Sequence, residues 1–199
     1  MYLSDIPVLR HDRVQGYIRR LLMPLGIDFY LKMDDRRVLE TIILPYFRGH
    51  ADYRRVLFIG SAWYTRGYRK YFAPASYWTL DLDPVARRYG ARQHITDSMG
   101  NLSRHFADGS LDLIICNGVY GYGLDRLDDF DHAVDACHTA LRENGLFILG
   151  WDDKASRKPF PLERSAALRR FRREPFLPLG TDHYVTANVG RHTFDFFTR

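Results

Sequence analysis

The feature that most constrains this chain is an alternation of short apolar runs with amphipathic stretches over residues 54–199. The apolar runs are "RVLFIG", "SYWTLDLD", "RQHITD", "SLDLIICNG" and "LFILGWD". Each has a strand's length and composition. "SLDLIICNG" is apolar almost throughout, as expected for a strand covered on both faces. Between the runs lie "YTRGYRKYF", "PVARRYG", "DRLDDFDHAVDACHTALRENG" and "PLERSAALRRFRRE", each read as a helix. In the third, Leu127, Phe130, Val134, Cys137 and Leu141 share one face, and Gly145 is placed to end it. Strands alternating with helices imply a doubly wound, mostly parallel α/β sheet. The last two strands, "HYVTAN" and "RHTFDFFT", are separated only by Val189-Gly190. So short a connection permits only an antiparallel pair. The expectation is a five-stranded parallel core with an antiparallel C-terminal hairpin, seven strands in all.

Residues 1–50 carry a different pattern. "DRVQGYIRRLLMPLG" and "DDRRVLETIILPYF" repeat apolar residues at spacings of three and four. The first is expected to stop at Pro24 and Gly26, the second at Pro45. This predicts a helical N-terminal lid over residues 1–50 and one α/β domain over residues 51–199.

Two cysteines, Cys116 and Cys137, are too few for a disulfide framework. They read as buried thiols in a reducing cytoplasm. The opening "MYLSDIPVLRHDR" has no secretory signal pattern. No apolar run approaches the ~20 residues of a spanning helix, so no membrane partner is expected. No Cys or His spacing suggests a metal. The net charge is +5, with its densest patch from Arg164 to Arg173. That patch is either a phosphate or nucleic-acid surface or the solvated face of a helix with Leu168 and Phe171 turned inward.

The order of strands and motifs resembles the class I S-adenosylmethionine (SAM) dependent methyltransferases, over residues ~54–199. Their first motif, a glycine-rich turn after strand one, maps to Gly60-Ser61-Ala62-Trp63-Tyr64. Gly60 matches, Ser61 and Ala62 are small enough for close backbone approach, and Tyr64 replaces the third glycine. The second is an acid after strand two that binds both ribose hydroxyls, a role the resemblance gives to Asp81, with Leu82 beside it. A carboxylate suits a diol because it accepts two hydrogen bonds. The alternative for Asp81 is a turn or helix-capping acid, although Asp83 fits the cap better. The third motif maps to Asp97, Ser98 and Met99 at the adenine, or to a plain Asp-Ser turn. The fourth is Asn117-Gly118-Val119-Tyr120, beneath the methyl group in that fold.

The resemblance implies a methyltransferase with SAM as cofactor. The acceptor reading is a small molecule methylated on oxygen or nitrogen. Alternatives are a nucleic acid held by the arginine patch, and a SAM-fold protein that does not methylate, such as a SAM cyclase, a lyase or a binding subunit. Asn117 and Tyr120 are the candidate catalytic residues. Trp63, Tyr64, Tyr120, Tyr122 and Trp151 are the candidate pocket walls. Trp63 and Tyr64 could instead pack under the N-terminal helices. His94 is expected to be remote, with His132 and His138 on a surface helix and His183 and His192 in the hairpin.

Overall fold

The structure, a computed structural model, describes residues 12–187 and 190–199. The opening segment read for targeting signals and Val189 of the hairpin turn lie outside these residues. Among the described residues, eight strands make one sheet: β1 Arg55–Ile59, β2 Ser76–Asp81, β3 Gln93–Thr96, β4 Leu111–Asn117, β5 Leu141–Asp152, β6 Arg172–Arg173, β7 His183–Val185 and β8 His192–Thr198. The order is β3-β2-β1-β4-β5-β8-β6, with β7 also paired to β8. The first five are mutually parallel and β8 runs antiparallel to β5. The strand count exceeds the expected seven because the two-residue β6 joins β8 alongside β7.

Alternate residues of one strand enter different cores. Leu57 and Ile59 pack with Ile114, Cys116, Phe147 and helix α4, Leu127–Ala140. Val56 and Phe58 pack with Leu113, Ile115, Ile148 and the N-terminal helical run. Each full burial of such a side chain contributes ~1.5–3 kcal/mol. This explains why β1 and β4 are apolar without alternation.

The N-terminal segment comprises α1 Asp12–Leu22, α2 Asp34–Val38, a π-turn Leu39–Ile43 and α3 Leu44–Tyr46. Gly26, at φ 85°, ends the first part. Pro45 does not end the second, as it was expected to. The helical run continues one residue beyond it, to Tyr46. Val38, Leu39, Ile43 and Leu44 are buried in the core.

Three expected helices change character. Residues Arg66–Tyr71 and Pro84–Tyr89 are 3-10 turns, the latter capped by Asp83 Oδ1 on Val85 N at 2.8 Å. "PLERSAALRRFRRE" becomes two 3-10 turns, Leu162–Arg164 and Leu168–Arg170, followed by β6. Here Ser165 Oγ takes Leu168 N and Asp131 takes Ala166 N, so side chains replace helical backbone acceptors. Leu168 and Phe171 are nonetheless turned inward. Helix α4 ends at Ala140 rather than near Gly145, because Leu141 turns extended to pair with Leu111. Arg199 then donates to the helix-end carbonyls of Thr139 and Leu141.

Candidate functional site

Two adjoining cavities open at the carboxyl ends of the parallel strands, where ligands bind in open α/β sheets. The smaller, 180 Å³, is lined by Gly60, Asp81, Leu82, Asp97, Ser98 and Met99, with Gly118, Val119 and Tyr122 opposite. The larger, 590 Å³, lies between residues Leu31–Arg36 and the ends of β4, β5 and β8. Gly118 and Tyr122 line both.

In the smaller cavity, acids organise backbone. Asp81 Oδ2 accepts from Ser61 N at 2.7 Å, tying the turn after β1 to the end of β2. Its Oδ1 accepts from Asp83 N at 2.9 Å. Asp97 accepts from Ser98 N, Asn101 Nδ2 and His105 Nε2, all at 2.7–2.8 Å. Hydrogen bonds from Asn101 and His105 pull its carboxyl down to about 2. Leu82 is 72% exposed on the rim. Met99 is buried, its sulfur against Cys116 Sγ. Burial pushes the Cys116 thiol up to about 12, so it packs as an apolar group.

Gly60 has a reason of its own. At φ 95° its Cβ position lies 2.3 Å from the Asn117 carbonyl. The glycine after β1 therefore makes room for its neighbouring strand. Gly118, at φ 69°, differs: no atom lies within 4 Å of its Cβ position, and it faces open space between the cavities.

The floor of the larger cavity is a chain of side-chain contacts. Arg36, 7% exposed, sits 3.1 Å from Asp35 and lies over the Tyr64 ring at 4.5 Å. Burial opposes its charge, but Tyr68, Tyr64 and Asp35 outweigh burial and raise its pKa. Asn117 bridges Arg36 and His192. With Oδ1 toward Arg36 at 3.1 and 3.2 Å and Nδ2 toward His192 Nε2 at 3.0 Å, every atom meets a complementary one. The opposite orientation puts Oδ1 on His192 Nε2 at 3.0 Å. It would aim the Asn117 NH2 at a guanidinium, donor against donor, so the first is assigned. His192 Nδ1 meets Asp152 Oδ1 at 2.6 Å, and Tyr122 Oη donates to Asp152 Oδ2 at 2.5 Å. Burial works to raise the Asp152 carboxyl, yet the bonds from His192 and Tyr122 outweigh it and hold it below the ordinary value. Burial, then Asp152, pushes the Tyr122 phenol up to about 12.

The expected pocket walls divide. Tyr64 and Tyr122 line the larger cavity. Trp63 instead lies under Arg19 of α1, 4.0 Å from ring centroid to guanidinium, in a separate groove. Tyr120 and Trp151 line neither site cavity. Tyr120 is fully buried among Phe130, Trp151 and Phe160 and donates to the Phe160 carbonyl. Trp151 Nε1 donates to Asp195 Oδ2 at 2.7 Å. Each ends its motif, which points to the site in sequence, but both rings pack into the core that α4 covers. Arg36, Asp152 and His192 were missed. For Arg36 the sequence offers only the charged run "DDRR" at the start of an apolar-periodic stretch, in which Asp35 and Arg36 turn out buried while Asp34 and Arg37 are exposed. For His192 only its place in the strand beside β5 could have served.

Residues 59–149, which hold Gly60, Asp81, Asp97 and Asn117, match a family described as a methyltransferase domain. This match, over a little under half of the chain, and the solved structures of similar fold support a place in the class I SAM-dependent methyltransferase superfamily. Their cofactor is SAM. A TehB-like SAM-dependent methyltransferase from Corynebacterium glutamicum superposes with a TM-score of 0.59 at 18% identity, covering 93% of this chain and 97% of the other. The N-methyltransferase NodS of Bradyrhizobium japonicum, in complex with S-adenosylhomocysteine, gives 0.60 at 15%, covering 84% and 93%. A Thermus thermophilus 16S rRNA N2 G1207 methyltransferase gives 0.52 at 16%, covering 86% and 41%. No curated protein sequence matches this chain.

The residues present fit the cofactor of this family. Each Asp81 oxygen has one bond from its own chain, and a carboxylate oxygen takes two, so room for a diol remains. Ser61 Oγ is buried without a partner. The smaller cavity alone is below the ~300–1,000 Å³ of ligand sites. A cofactor reaching past Gly118 into the larger one has the space it needs. Among the described residues, no cluster of three or more His, Cys, Asp or Glu could hold a metal, and no helix is long and apolar enough to cross a membrane.

Proposed function

We propose that this methyltransferase acts on a small acceptor bound in the 590 Å³ cleft between residues 31–36 and the ends of β4, β5 and β8. The observation that carries the reading is that the cleft and the 180 Å³ cavity beside Asp81 and Asp97 share Gly118 and Tyr122. SAM, when bound, supplies an electrophilic methyl group on a sulfonium with a good leaving group. Asp81, Leu82, Asp97, Ser98 and Met99 would hold its nucleoside end, beside Gly60, Ser61, Ala62, Asn117 and Gly118. Of the N-terminal helical segment, residues 12–50 act as a lid in this reading, with residues 31–36 as the cleft-facing wall.

Much of the catalysis is then positioning, which contributes up to ~7–11 kcal/mol for aligned reactants. Tyr122, 47% exposed and held by Asp152, presents its phenol oxygen to a donor on the acceptor. Asp34 and Lys154 offer opposite charges on the cleft wall. This favours a polar acceptor bearing a hydroxyl or amine.

A second reading, an RNA acceptor, draws on the 440 Å³ groove where Arg19, Arg20, Arg66 and Arg88 gather around Trp63 and Tyr89. Positive charge with aromatic faces suits single-stranded nucleic acid. The Arg164–Arg173 patch supports it less, since Arg170 pairs with Asp135, Arg172 with Glu174 and Arg173 with Asp195.

Release of S-adenosylhomocysteine, measured against panels of small amines and hydroxyl compounds and against RNA, tests the choice. Turnover with a small acceptor that Tyr122→Phe slows is the expected result. Turnover on RNA alone, steeply salt-dependent, or no release with any acceptor overturns it.

A further inference from the structure

We infer that Arg36 is a positioning residue that dictates where the proton sits on His192, and that Arg36, Asn117, His192 and Asp152 form a one-directional hydrogen-bond chain ending behind Tyr122. Arg36 and Asn117 differ in what they can offer each other. A guanidinium has five donors and no acceptor. Both Arg36 amino groups reach the Asn117 side chain, at 3.1 and 3.2 Å, so that atom must be the oxygen. The Asn117 NH2 then points at His192 Nε2 and donates to it at 3.0 Å. Nε2 must accept, so it carries no hydrogen. His192 is therefore the neutral tautomer with its proton on Nδ1, donated to Asp152 Oδ1 at 2.6 Å. Asp152 Oδ2 receives the Tyr122 hydroxyl at 2.5 Å. Asp152 accepts from both sides and is held as the carboxylate.

Two further observations support a built arrangement. The Cβ position of Gly150 lies 1.9 Å from the Asn117 side-chain amide and 3.1 Å from His192 Nε2. Only glycine at that position leaves the Asn117–His192 contact intact. His192 is 4% exposed, so water does not compete for its nitrogens. The groups facing it are Asn117 on β4, Asp152 on β5 and the Phe194 ring on its own strand. Beyond these stand Arg36 from α2 and Lys154 in the cleft wall, while Arg191 is turned to Asp153.

The consequence rests on the reading of the cleft as an acceptor site. An amine or hydroxyl becomes cationic as it is alkylated and sheds a proton readily, so a weak base suffices. The acceptor X–H bond breaks toward Tyr122 Oη while the Tyr122 O–H bond breaks toward Asp152 Oδ2. One proton moves along the relay and Asp152 becomes neutral, while the acceptor atom's lone pair forms the bond to the methyl carbon and the methyl–sulfonium bond breaks with its electron pair left on sulfur. His192 cannot intercept that proton at Nδ1, which is already occupied.

The test is nitrogen-15 NMR of protein labelled at histidine, with the His192 signals identified by their loss in His192→Gln. At pH 7, with neither cofactor nor acceptor, His192 is expected to show a protonated Nδ1 and a bare Nε2. In Asn117→Asp, both side-chain oxygens accept. One keeps Arg36 and the other demands a proton on Nε2, so His192 is expected to become doubly protonated at the same pH. A wild-type His192 with its proton on Nε2, or already an imidazolium at pH 7, overturns the proposal. So does an unchanged tautomer in a folded Asn117→Asp. Should that variant fail to fold, the wild-type spectrum alone decides. Failure of the acceptor reading would leave these spectra untouched, because they involve no turnover.

Discussion

The two halves of the ligand trench are built by different means. Around the smaller cavity, Asp81 and Asp97 bind backbone N–H groups and near neighbours, and their partners lie within 20 residues. Around the larger one, side chains bind side chains across four elements, and Asn117 and His192 are 75 residues apart. The first construction fixes loops and leaves acceptor sites open for a ligand. The second satisfies Asn117, His192 and Asp152 from within and turns Tyr122 and the charges of Asp34 and Lys154 toward the cavity. A conserved-chemistry ligand suits the former. A wall whose rim can change while its floor stays fixed suits the latter.

Removing Arg36 should break the contrast most sharply. In Arg36→Met the buried charge goes, Asp35 is left buried beside it, and Asn117 loses its anchor. Breaking a buried pair costs ~3–5 kcal/mol. Urea unfolding should show a midpoint shift of that size with an unchanged slope. A loss no larger than the ~0–1 kcal/mol of a surface pair would mean the floor is not a bonded unit.

Asp81→Ala sharpens the other half. Calorimetry should show SAM affinity weakened by ~1.5–3 kcal/mol, the worth of hydrogen bonds to a charged group. If Asp81 only braces Ser61 and Asp83, melting will fall and affinity will stay.

The smallest effect is expected at Asp97, through pH. Its folded carboxyl titrates near 2, below the ~3.9 of an unfolded chain. A lowered folded value stabilises above the unfolded one, and that contribution disappears as pH falls through the folded one. The melting gap between wild type and Asp97→Asn should hold steady above about pH 4 and close toward pH 2. A gap independent of pH would show that the Asn101 and His105 contacts do not need the charge.

The same contrast explains what the sequence disclosed. The sheet was legible because its signals are local: apolar runs of strand length separated by turns, and too short a link before β8 for anything but an antiparallel pair. The smaller cavity's residues were legible for the same reason, each ending its own strand. The helical readings of 161–174 failed because Asp131, thirty residues away, supplies the competing hydrogen bonds. Tyr120 and Trp151 were placed at the site by position along the chain, while the side of the sheet their rings take is a tertiary matter. Arg36, Asp152 and His192 show nothing locally. Their meaning arises only when α2, β5 and β8 meet at Asn117.

That meeting has a kinetic consequence. His192 arrives on β8, which lies between β5 and the short β6 and β7 and closes the open side of the parallel core. Before β8 docks, β5 presents an unpaired edge, a hazard for association with other chains. Such long-range pairing is slow, because closing large loops precedes its reward. The site floor is therefore completed at the same moment as the sheet is sealed. A partly folded chain can have the smaller cavity, but not the finished floor of the larger one.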